Sequence, residues 1–373
     1  MDLAEMVQGL QALSIGGIDF LRTLVLERPK RQFSPATQLA LSLKHLNEAE
    51  WESRFAAPDL DATLRAGAPL AQEDAAWGQH SETFAEVVRV LRAADGAGRL
   101  CDVVLAGSVA KNTAVSPKTA DLDLVAMFRD FEPRCDYAEL LAWIEKTLEA
   151  SDIQAELSER QFYIPGVGGI RRWVGPETAV EVGRCSYLQE APFMMREAAY
   201  IHLEPEVGPS VDILVGGDVS ADPWRPENRD IWGLMAASTN RRGVDYVRRR
   251  PAHVRCAIRA LKTWRDALGI KSKKFKPSSF LLELLCVWAA DKGGARDPRA
   301  VFVGALELLA LPKDELCLVS YEEYTEAAVP PETLRQRPLV LDPIKPWNNV
   351  VREDNLKRVR RHAALALEAL AAP

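Results

Sequence analysis

The stretch that decides the fold runs from Leu105 to Ala114 and reads Leu-Ala-Gly-Ser-Val-Ala-Lys-Asn-Thr-Ala. The apolar run from Val103 to Ala106 predicts a short strand, which ends at the glycine. A strand that ends in Gly107-Ser108 predicts a turn that presents backbone N–H groups and a hydroxyl to an anion, because glycine allows close backbone approach. These residues therefore predict a phosphate-binding turn.

Two carboxylates stand in the next apolar run, which extends from Ala120 to Phe128. Asp121 and Asp123 are separated by one residue, and side chains alternate along a strand, so both should leave the same face. Two such carboxylates disfavour joint ionisation unless a cation neutralises them. Hard oxygen ligands select Mg²⁺ or Mn²⁺. The pair predicts a site for a divalent metal.

A third carboxylate, Asp212, lies in the run Val211-Asp212-Ile213-Leu214-Val215, which is otherwise apolar on both faces of a strand. Such an Asp would be costly to bury without a partner. The spacing adds weight, because Asp121 follows Ser108 by 13 residues. The sequence therefore predicts that Asp121, Asp123 and Asp212 hold two Mg²⁺ ions, with Mn²⁺ as an alternative.

Breaks and periodicity predict two lobes. A helical stretch from Tyr137 to Glu149 lies between the second and third predicted strands, and this mixture favours an α+β fold. Beyond Pro226 the pattern is almost wholly helical, with helices predicted over Pro251 to Leu268 and Phe280 to Ala290. We predict an N-terminal helical extension of unknown role at 1–72, a catalytic lobe at 73–225 and a C-terminal helical lobe at 226–373.

Charge is unevenly distributed along the chain of 373 residues, whose net charge is −6. The segment from Arg241 to Lys276 has thirteen Lys or Arg and two Asp, a local charge of +11. Such a basic block in an acidic protein favours a polyanion or a triphosphate as partner. Two well-solvated helix faces are the alternative explanation.

The composition favours an intracellular protein. No apolar run reaches the roughly 20 residues that span a bilayer, and the N-terminus lacks the order of a secretory signal. None of the six cysteines forms a Cys-x-x-Cys pair, which argues against a zinc ribbon and favours reduced thiols. We expect a cytoplasmic location without membrane contact, although a nuclear one is not excluded.

The motifs together resemble the nucleotidyltransferase core shared by the 2′-5′-oligoadenylate synthases and cyclic GMP-AMP synthase, within the polymerase-β superfamily. The resemblance to the oligoadenylate synthases is the closer one, and it covers residues 75–350. Besides the Gly-Ser turn and the carboxylates, it rests on an Arg-Pro…Arg-x-x-Lys-x-Trp helix (Arg250 to Trp264), Leu282-Glu283-Leu284-Leu285, and Arg337 to Pro343 with Asn348. The resemblance implies a polymerase-β-like lobe with a central mixed sheet, followed by a helical lobe.

The resemblance also implies roles for nucleotide-binding residues beyond Gly107 and Ser108. Arg259 and Lys262 would contact the triphosphate of the donor; three residues apart on a helix, they share a face. Ser279 and Phe280 fall where relatives touch donor phosphates and stack on the base. Phenylalanine keeps the aromatic face but lacks the phenolic hydroxyl of the family's tyrosine, which leaves base choice open. Core packing alone is the alternative explanation for Phe280.

Double-stranded RNA is the partner that the resemblance implies, because it activates the oligoadenylate synthases. The candidate contacts are Arg241, Arg242, Arg248 and Arg249, whereas Val244 and Ala252 stand where the family has an arginine and a threonine. Lys111 could act near either phosphate or RNA. The His and clustered cysteines of the vertebrate cyclic GMP-AMP synthase zinc insertion are missing, which disfavours a DNA sensor of that type.

The expected activity is template-independent synthesis of 2′-5′-linked oligoadenylates from ATP and an acceptor nucleotide, stimulated by double-stranded RNA, in antiviral innate immunity. Two alternatives stay open: a cyclic dinucleotide synthase, and an RNA sensor whose catalytic site is silent. A tRNA or poly(A) nucleotidyltransferase is disfavoured, because the helical lobe resembles the innate-immune branch. Linkage, product length, acceptor base and oligomeric state are not predicted.

Overall fold

A computed structural model describes residues 33–57, 59, 63, 77–118, 120–151, 157–163, 200–205, 208–217, 224, 235–272, 275–322, 324–351 and 353–371. Both predicted lobe boundaries, at 72/73 and 225/226, lie outside these residues, as does most of the predicted N-terminal extension. In chain order, the helices and strands are α1 (Pro35–Leu43), α2 (Glu48–Arg54), α3 (Gly78–Ala94), β1 (Leu100–Leu105), α4 (Gly107–Ala110), β2 (Leu122–Phe128), α5 (Pro133–Glu149), β3 (Leu157–Tyr163), β4 (Tyr200–Pro205), β5 (Val211–Gly217), α6 (Asn240–Arg248), α7 (Ala252–Ala267), α8 (Ser279–Asp291), α9 (Pro298–Ala310), β6 (Cys317–Leu318), α10 (Pro331–Leu334), β7 (Leu339–Val340) and α11 (Glu353–Ala371).

The central sheet has five strands in the order β1-β2-β5-β4-β3. Strands β2 and β5 run parallel, whereas β1 pairs with β2, β4 with β5, and β3 with β4 in antiparallel fashion. The sheet is therefore mixed. With helices following it in sequence, the α+β fold class predicted from the sequence is confirmed.

A hydrophobic core of its own stabilises the sheet. It joins α3 and α5 to the apolar residues of the strands, with Leu91, Leu124, Ile144 and Ile213 fully buried. Strand β2 alternates little, because its apolar residues are buried on both faces, as expected of a strand with a parallel neighbour. Asp123 is the one polar residue of β2, and the buried apolar residues around it pack the strand into the core.

A second core belongs to the helical lobe. It gathers α7, α8, α9 and α11, and α1 and α2 contribute to it as well. Both N-terminal helices have strong start signals: Ser34 caps α1 ahead of Pro35, and Asn47 and Glu50 form a capping box on α2. The described part of the N-terminal segment is therefore packed as an integral part of the helical lobe. No helix among the described residues is long and apolar enough to cross a membrane.

Strands β3 and β4, which complete one side of the sheet, are absent from the sequence-based prediction. Their sequences, LSERQFY and YIHLEP, mix charged and apolar residues without a long apolar run, so pattern alone does not identify them. The three predicted strands correspond to β1, β2 and β5, with ends shifted by a few residues. The predicted helices correspond to α5, α7 and α8.

Trp51 on α2 tests how firmly the N-terminal segment is packed. Its ring lies 5.6 Å from that of Phe302 on α9, and its side chain is fully buried. Trp51→Ala should lower the free energy of unfolding by about 3–5 kcal/mol, because it leaves a cavity in the helical core. Urea unfolding measures this, with the exposed neighbour Glu52→Ala as control. A loss below about 1 kcal/mol would show that the segment packs only loosely.

Candidate active site

Two of the predicted carboxylates lie side by side in the sheet. Asp123 on β2 and Asp212 on β5 are direct partners in the parallel register, and adjacent strands are about 4.8 Å apart. Asp121 lies just before β2, is exposed, and accepts a 2.6 Å hydrogen bond from the hydroxyl of Ser210. Sheet register therefore places Asp123 and Asp212 beside each other at the start of two neighbouring strands, with Asp121 just before β2. We refer to these three residues as the carboxylate edge.

The electrostatics of this edge disfavour joint ionisation. Burial raises the pKa of Asp123 to about 7, and the charges of Asp212 and Asp121 add to the rise, whereas Lys111 opposes it. A divalent cation would relieve this repulsion, so the donor set fits Mg²⁺. Among the residues that the structure describes, however, no three acidic, His or Cys side chains form a ready metal-binding group. Binding by all three carboxylates therefore requires side-chain movement.

The predicted phosphate-binding turn packs directly against this edge. The backbone N–H of Ala106 donates to the carbonyl of Asp123 at 2.7 Å. Gly107 follows with φ +61°, and a Cβ there would lie 1.6 Å from Oδ2 of Asp123. The position thus requires glycine for two reasons, its backbone conformation and the space that the carboxylate occupies. Ser108 is half-buried in the same turn.

A cavity of about 210 Å³ opens between the lobes in front of Asp123. Its walls come from the Gly107 turn, β5, the start of α6, α8 and the loop after β7. The lining residues are Ala106, Gly107, Lys111, Asp123, Leu214, Thr239, Asn240, Gly243, Val244, Phe280, Asp342, Ile344, Lys345 and Asn348. The volume is below the roughly 300–1,000 Å³ of most small-molecule sites, so a nucleotide requires the cavity to widen.

Lys111 and Phe280 account for part of this narrowness. The ammonium of Lys111 lies 4.5 Å from the ring centre of Phe280, a cation–π distance. A base that stacks on Phe280 from this side must displace that ammonium. Lys111 thus lines the cavity, and its role near phosphate or near RNA stays a prediction.

Glu283 on α8 binds two of the predicted cations at once. Its carboxylate accepts from Lys111 Nζ at 2.9 Å and from Lys262 Nζ at 2.7 Å. Thr113 completes the network, because Lys262 also donates to its hydroxyl at 2.9 Å. Burial alone would raise the pKa of Glu283, but the two ammonium groups hold it at about 2. Glu283 is therefore ionised, and its charge offsets one of the two lysines.

Arg259 and Ser279 are likewise engaged by the protein, and neither lines the cavity. Arg259 is buried; its guanidinium donates to the carbonyls of Phe55 and, at 2.6 Å, Asn112. The hydroxyl of Ser279 accepts from Arg265 at 3.0 Å. Lys262 also lies behind the cavity wall. The structure thus brings Gly107, Lys111, Asp123 and Phe280 together, whereas triphosphate contacts by Arg259, Lys262 and Ser279 stay predictions.

The helical lobe supplies a wall of the cavity that sequence reasoning did not identify. Asp342 is buried, and its carboxylate accepts from the backbone N–H groups of Ile344 and Lys345 and from the amide of Asn348. These bonds fix the loop that carries Lys345 into the cavity. The quoted family segment from Arg337 to Pro343 contained this signal, but nothing in its sequence showed that the loop faces Asp123.

The predicted RNA-contact arginines lie on and just after α6. Arg241 and Arg249 are exposed, whereas Arg242 and Arg248 are half-buried. Arg249 forms an ion pair with Glu322, so its charge is already balanced within the protein. Arg248 is also paired, with Asp59. The structure thus gathers a basic surface, and its contact with RNA stays a prediction.

Comparison with known proteins bears on the helical lobe first. Residues 233–372 match the family model of 2′-5′-oligoadenylate synthetase 1, domain 2, C-terminus. The chain is also 26% identical over 278 residues to 2′-5′-oligoadenylate synthase 2 of Mus musculus, a match that covers 68% of this chain. In these regions the chain is similar to the 2′-5′-oligoadenylate synthases. The predicted family resemblance is thereby confirmed.

Other relatives differ in how much of their length is matched. The alignment covers only 35% of that mouse protein. The rat 2′-5′-oligoadenylate synthase 1A is 24% identical over 297 residues, which cover 72% of this chain and 77% of the rat protein. Among solved structures, the complex of CdnC with HORMA-deltaN from E. coli MS115-1 aligns with 85% of this chain and 89% of that one, at a TM-score of 0.49 and 15% identity.

Gly107→Ala tests the contact between the Gly107 turn and the carboxylate edge. The new methyl group would overlap Asp123 Oδ2, so the carboxylate must leave its present position. We expect a loss of about 2 kcal/mol or more in unfolding free energy, because a Cβ in the left-handed region alone costs about 1–2 kcal/mol, together with lost Mn²⁺ binding. Urea unfolding and Mn²⁺ titration measure the two effects.

Two glycines provide matched controls for this substitution. Gly98 has φ +64° but open space around its Cβ position, so Gly98→Ala isolates backbone strain. Gly243 lines the cavity on helix α6, also in open space, and Gly243→Ala should stabilise by up to about 1 kcal/mol. Equal losses at Gly107 and Gly98, with Mn²⁺ binding retained in both, would contradict the steric account.

Asp123→Asn tests the electrostatic strain at the carboxylate edge. In EDTA the folded protein holds the Asp123 proton up to a pKa of about 7, whereas the unfolded chain releases it near 3.8. Wild-type stability should therefore fall as the pH rises between these values, by about 4 kcal/mol in total at about 1.4 kcal/mol per pKa unit. Urea unfolding at pH 5 and pH 8 should show a smaller fall in the variant. Excess Mn²⁺ should stabilise only the wild type; an equal Mn²⁺ effect in both would contradict the metal assignment.

Proposed function

We propose that the protein is a template-independent nucleotidyltransferase that makes 2′-5′-linked oligoadenylates from ATP and is stimulated by double-stranded RNA. The observation that carries the proposal is the pairing of Asp123 with Asp212 in register on parallel strands, directly against the Gly107 turn. This arrangement supports a phosphate group held beside a divalent-metal site. The distant relation to the oligoadenylate synthases supports the choice of reaction.

The reaction joins an acceptor ribose hydroxyl to the α-phosphorus of ATP. A new P–O bond forms, the bond to the β-phosphate breaks, pyrophosphate leaves, and the hydroxyl proton passes to solvent. Two Mg²⁺ ions held by Asp121, Asp123 and Asp212 would lower the pKa of the hydroxyl and neutralise charge on the phosphates. Little covalent chemistry is left to the protein, so position and charge are its main contributions.

The cavity residues suggest how the donor is held. The Gly107-Ser108 turn would contact the phosphates through backbone N–H groups and the Ser108 hydroxyl. Lys111, on the same segment, would leave Phe280 and move toward the triphosphate as the base stacks on the ring. Arg259 and Lys262 would complete the phosphate contacts only after Glu283 and Asn112 release them. The donor thus has to compete with bonds that the protein makes to itself.

The RNA part of the proposal rests on the basic surface of α6. A-form RNA is recognised largely through its phosphates and 2′-hydroxyls. Arg241 is an exposed cation suited to such contacts, and Arg249 would join it by exchanging Glu322 for a phosphate. These arginines lie on and just after α6, whose first turn lines the cavity through Asn240 and Gly243. RNA on this helix would therefore be linked to the cavity through one rigid element.

The test is to incubate the protein with α-labelled ATP and Mg²⁺ or Mn²⁺, with and without double-stranded RNA, and to digest the products with a 3′-5′-specific nuclease before mass analysis. We expect a nuclease-resistant adenylate ladder that depends on RNA. Adding all four NTPs tests the alternative, because a cyclic dinucleotide would keep the metal site and overturn the product. RNA binding without turnover would indicate the silent sensor.

Asp123→Asn should lower turnover by at least about a hundredfold, the scale of losing one well-placed electrostatic group. Asp130→Asn is the matched control. Asp130 is exposed in the same lobe and has φ +51°, a conformation that asparagine tolerates well. Full activity in Asp123→Asn, or an equal loss in both variants, would refute the catalytic role assigned to Asp123.

A further inference from the structure

An ion pair ties the basic surface to the N-terminal segment. Nη2 of Arg248 donates to both carboxylate oxygens of Asp59, at 2.8 Å each. The side chain of Arg248 is 25% exposed and that of Asp59 is 43% exposed. The pair therefore lies where a large ligand can reach it, at the end of the helix predicted to contact RNA.

Arg255 holds the arginine side of this pair in place. Its guanidinium donates to the backbone carbonyls of Arg248, at 2.8 Å, and Arg250. These are carbonyls at the end of α6 and just beyond it, and a basic side chain is a natural cap for them. Burial lowers the pKa of Arg255, the charge of Asp59 raises it, and Arg248 lowers it again. Asp59 is thus the carboxylate that faces both guanidinium groups.

The origin of Asp59 distinguishes it from the other acidic partners on this surface. Glu322 and Asp291, which pair with Arg249 and Arg250, belong to the helical lobe itself. Asp59 instead follows α2 and lies four residues after Phe55, whose carbonyl accepts a hydrogen bond from Arg259. One short segment therefore contacts a predicted RNA-binding cation and a predicted triphosphate-binding cation.

Carboxylates and phosphodiesters satisfy guanidinium groups in the same way. Each offers two oxygen acceptors and a charge near −1, and both form short, charge-assisted hydrogen bonds with arginine. Asp59 is bound through both of its oxygens, as a phosphodiester would be. A partly exposed ion pair of this kind contributes little to stability, so a polyanion can displace the carboxylate at small cost.

We propose that Arg248 forms a phosphodiester-binding site that the carboxylate of Asp59 fills until nucleic acid displaces it. Arg255 is a positioning residue, because it fixes the helix end that carries Arg248. The inference rests on the proposed RNA partner and assigns its regulation: Asp59 is an internal competitor that sets how much RNA the protein needs. Since Phe55 and Asp59 are on one segment, displacement of Asp59 also alters the support of Arg259.

The experiment measures the affinity for a double-stranded RNA at several salt concentrations. Asp59→Asn removes the competing charge, so affinity should rise about fivefold at low salt. The salt dependence should steepen by up to about one unit of slope, because one more phosphate contact is left uncompensated. Asp59→Glu keeps the charge and should bind RNA as the wild type does.

A double-mutant cycle shows whether the gain passes through Arg248. The gain from Asp59→Asn should disappear in an Arg248→Ala background. Asp245→Asn is the matched control for net charge, because Asp245 is exposed on α6, one turn before Arg248. An unchanged affinity in Asp59→Asn, a gain that persists without Arg248, or an equal gain from Asp245→Asn would each overturn the inference.

Failure of the proposed function gives a different result. If neither wild type nor Asp59→Asn binds RNA, the RNA partner is refuted, and elution from heparin still tests the anion site. Later elution of Asp59→Asn than of wild type, abolished by Arg248→Ala, would support displacement of Asp59 by an anion. Identical elution of the two would overturn it. Thermal unfolding at high salt verifies that each variant is folded.

Discussion

The repulsion between Asp123 and Asp212 is the constraint on which the site depends. Backbone hydrogen bonds of two parallel strands hold both residues in register, and the buried core beneath them keeps the strands from separating. The sheet therefore stores an electrostatic cost that a cation or a proton relieves. The close contact at Gly107 follows from the same geometry. A side chain at position 107 would overlap the carboxylate of Asp123, so the turn can pack there only with glycine.

A second constraint is that the cations predicted to bind phosphate or RNA already have hydrogen-bond or ion-pair partners within the protein. Glu283 binds Lys111 and Lys262 and offsets one of their two charges, backbone carbonyls hold Arg259, and acidic side chains hold Arg248 and Arg249. A buried or half-buried cation needs such partners. The consequence is a narrow cavity whose binding groups become available only by exchange, so ligands and internal partners compete for the same donors.

The sequence predicted three of the five strands of the sheet because their signals are local. The Gly-Ser turn, the spacing of Asp121 and Asp123, and the apolar run around Asp212 identify three strands of the sheet. Strands β3 and β4 have no such pattern and gain their conformation from pairing. The roles of Glu283 and Asp59 were not predicted either, because they depend on partners 172 and 189 residues away in sequence. Spacing cannot reveal contacts of that range.

The packing of α1 and α2 has a consequence for how the chain is made. Their apolar faces are covered by α7, α9 and α11, and α11 begins at Glu353, more than 300 residues after α1. At synthesis rates of about 5–20 residues per second, roughly 15–60 s pass between the two. During that time the sheet lobe can assemble, while the apolar face of α1 that α11 covers stays exposed to chaperones and to self-association.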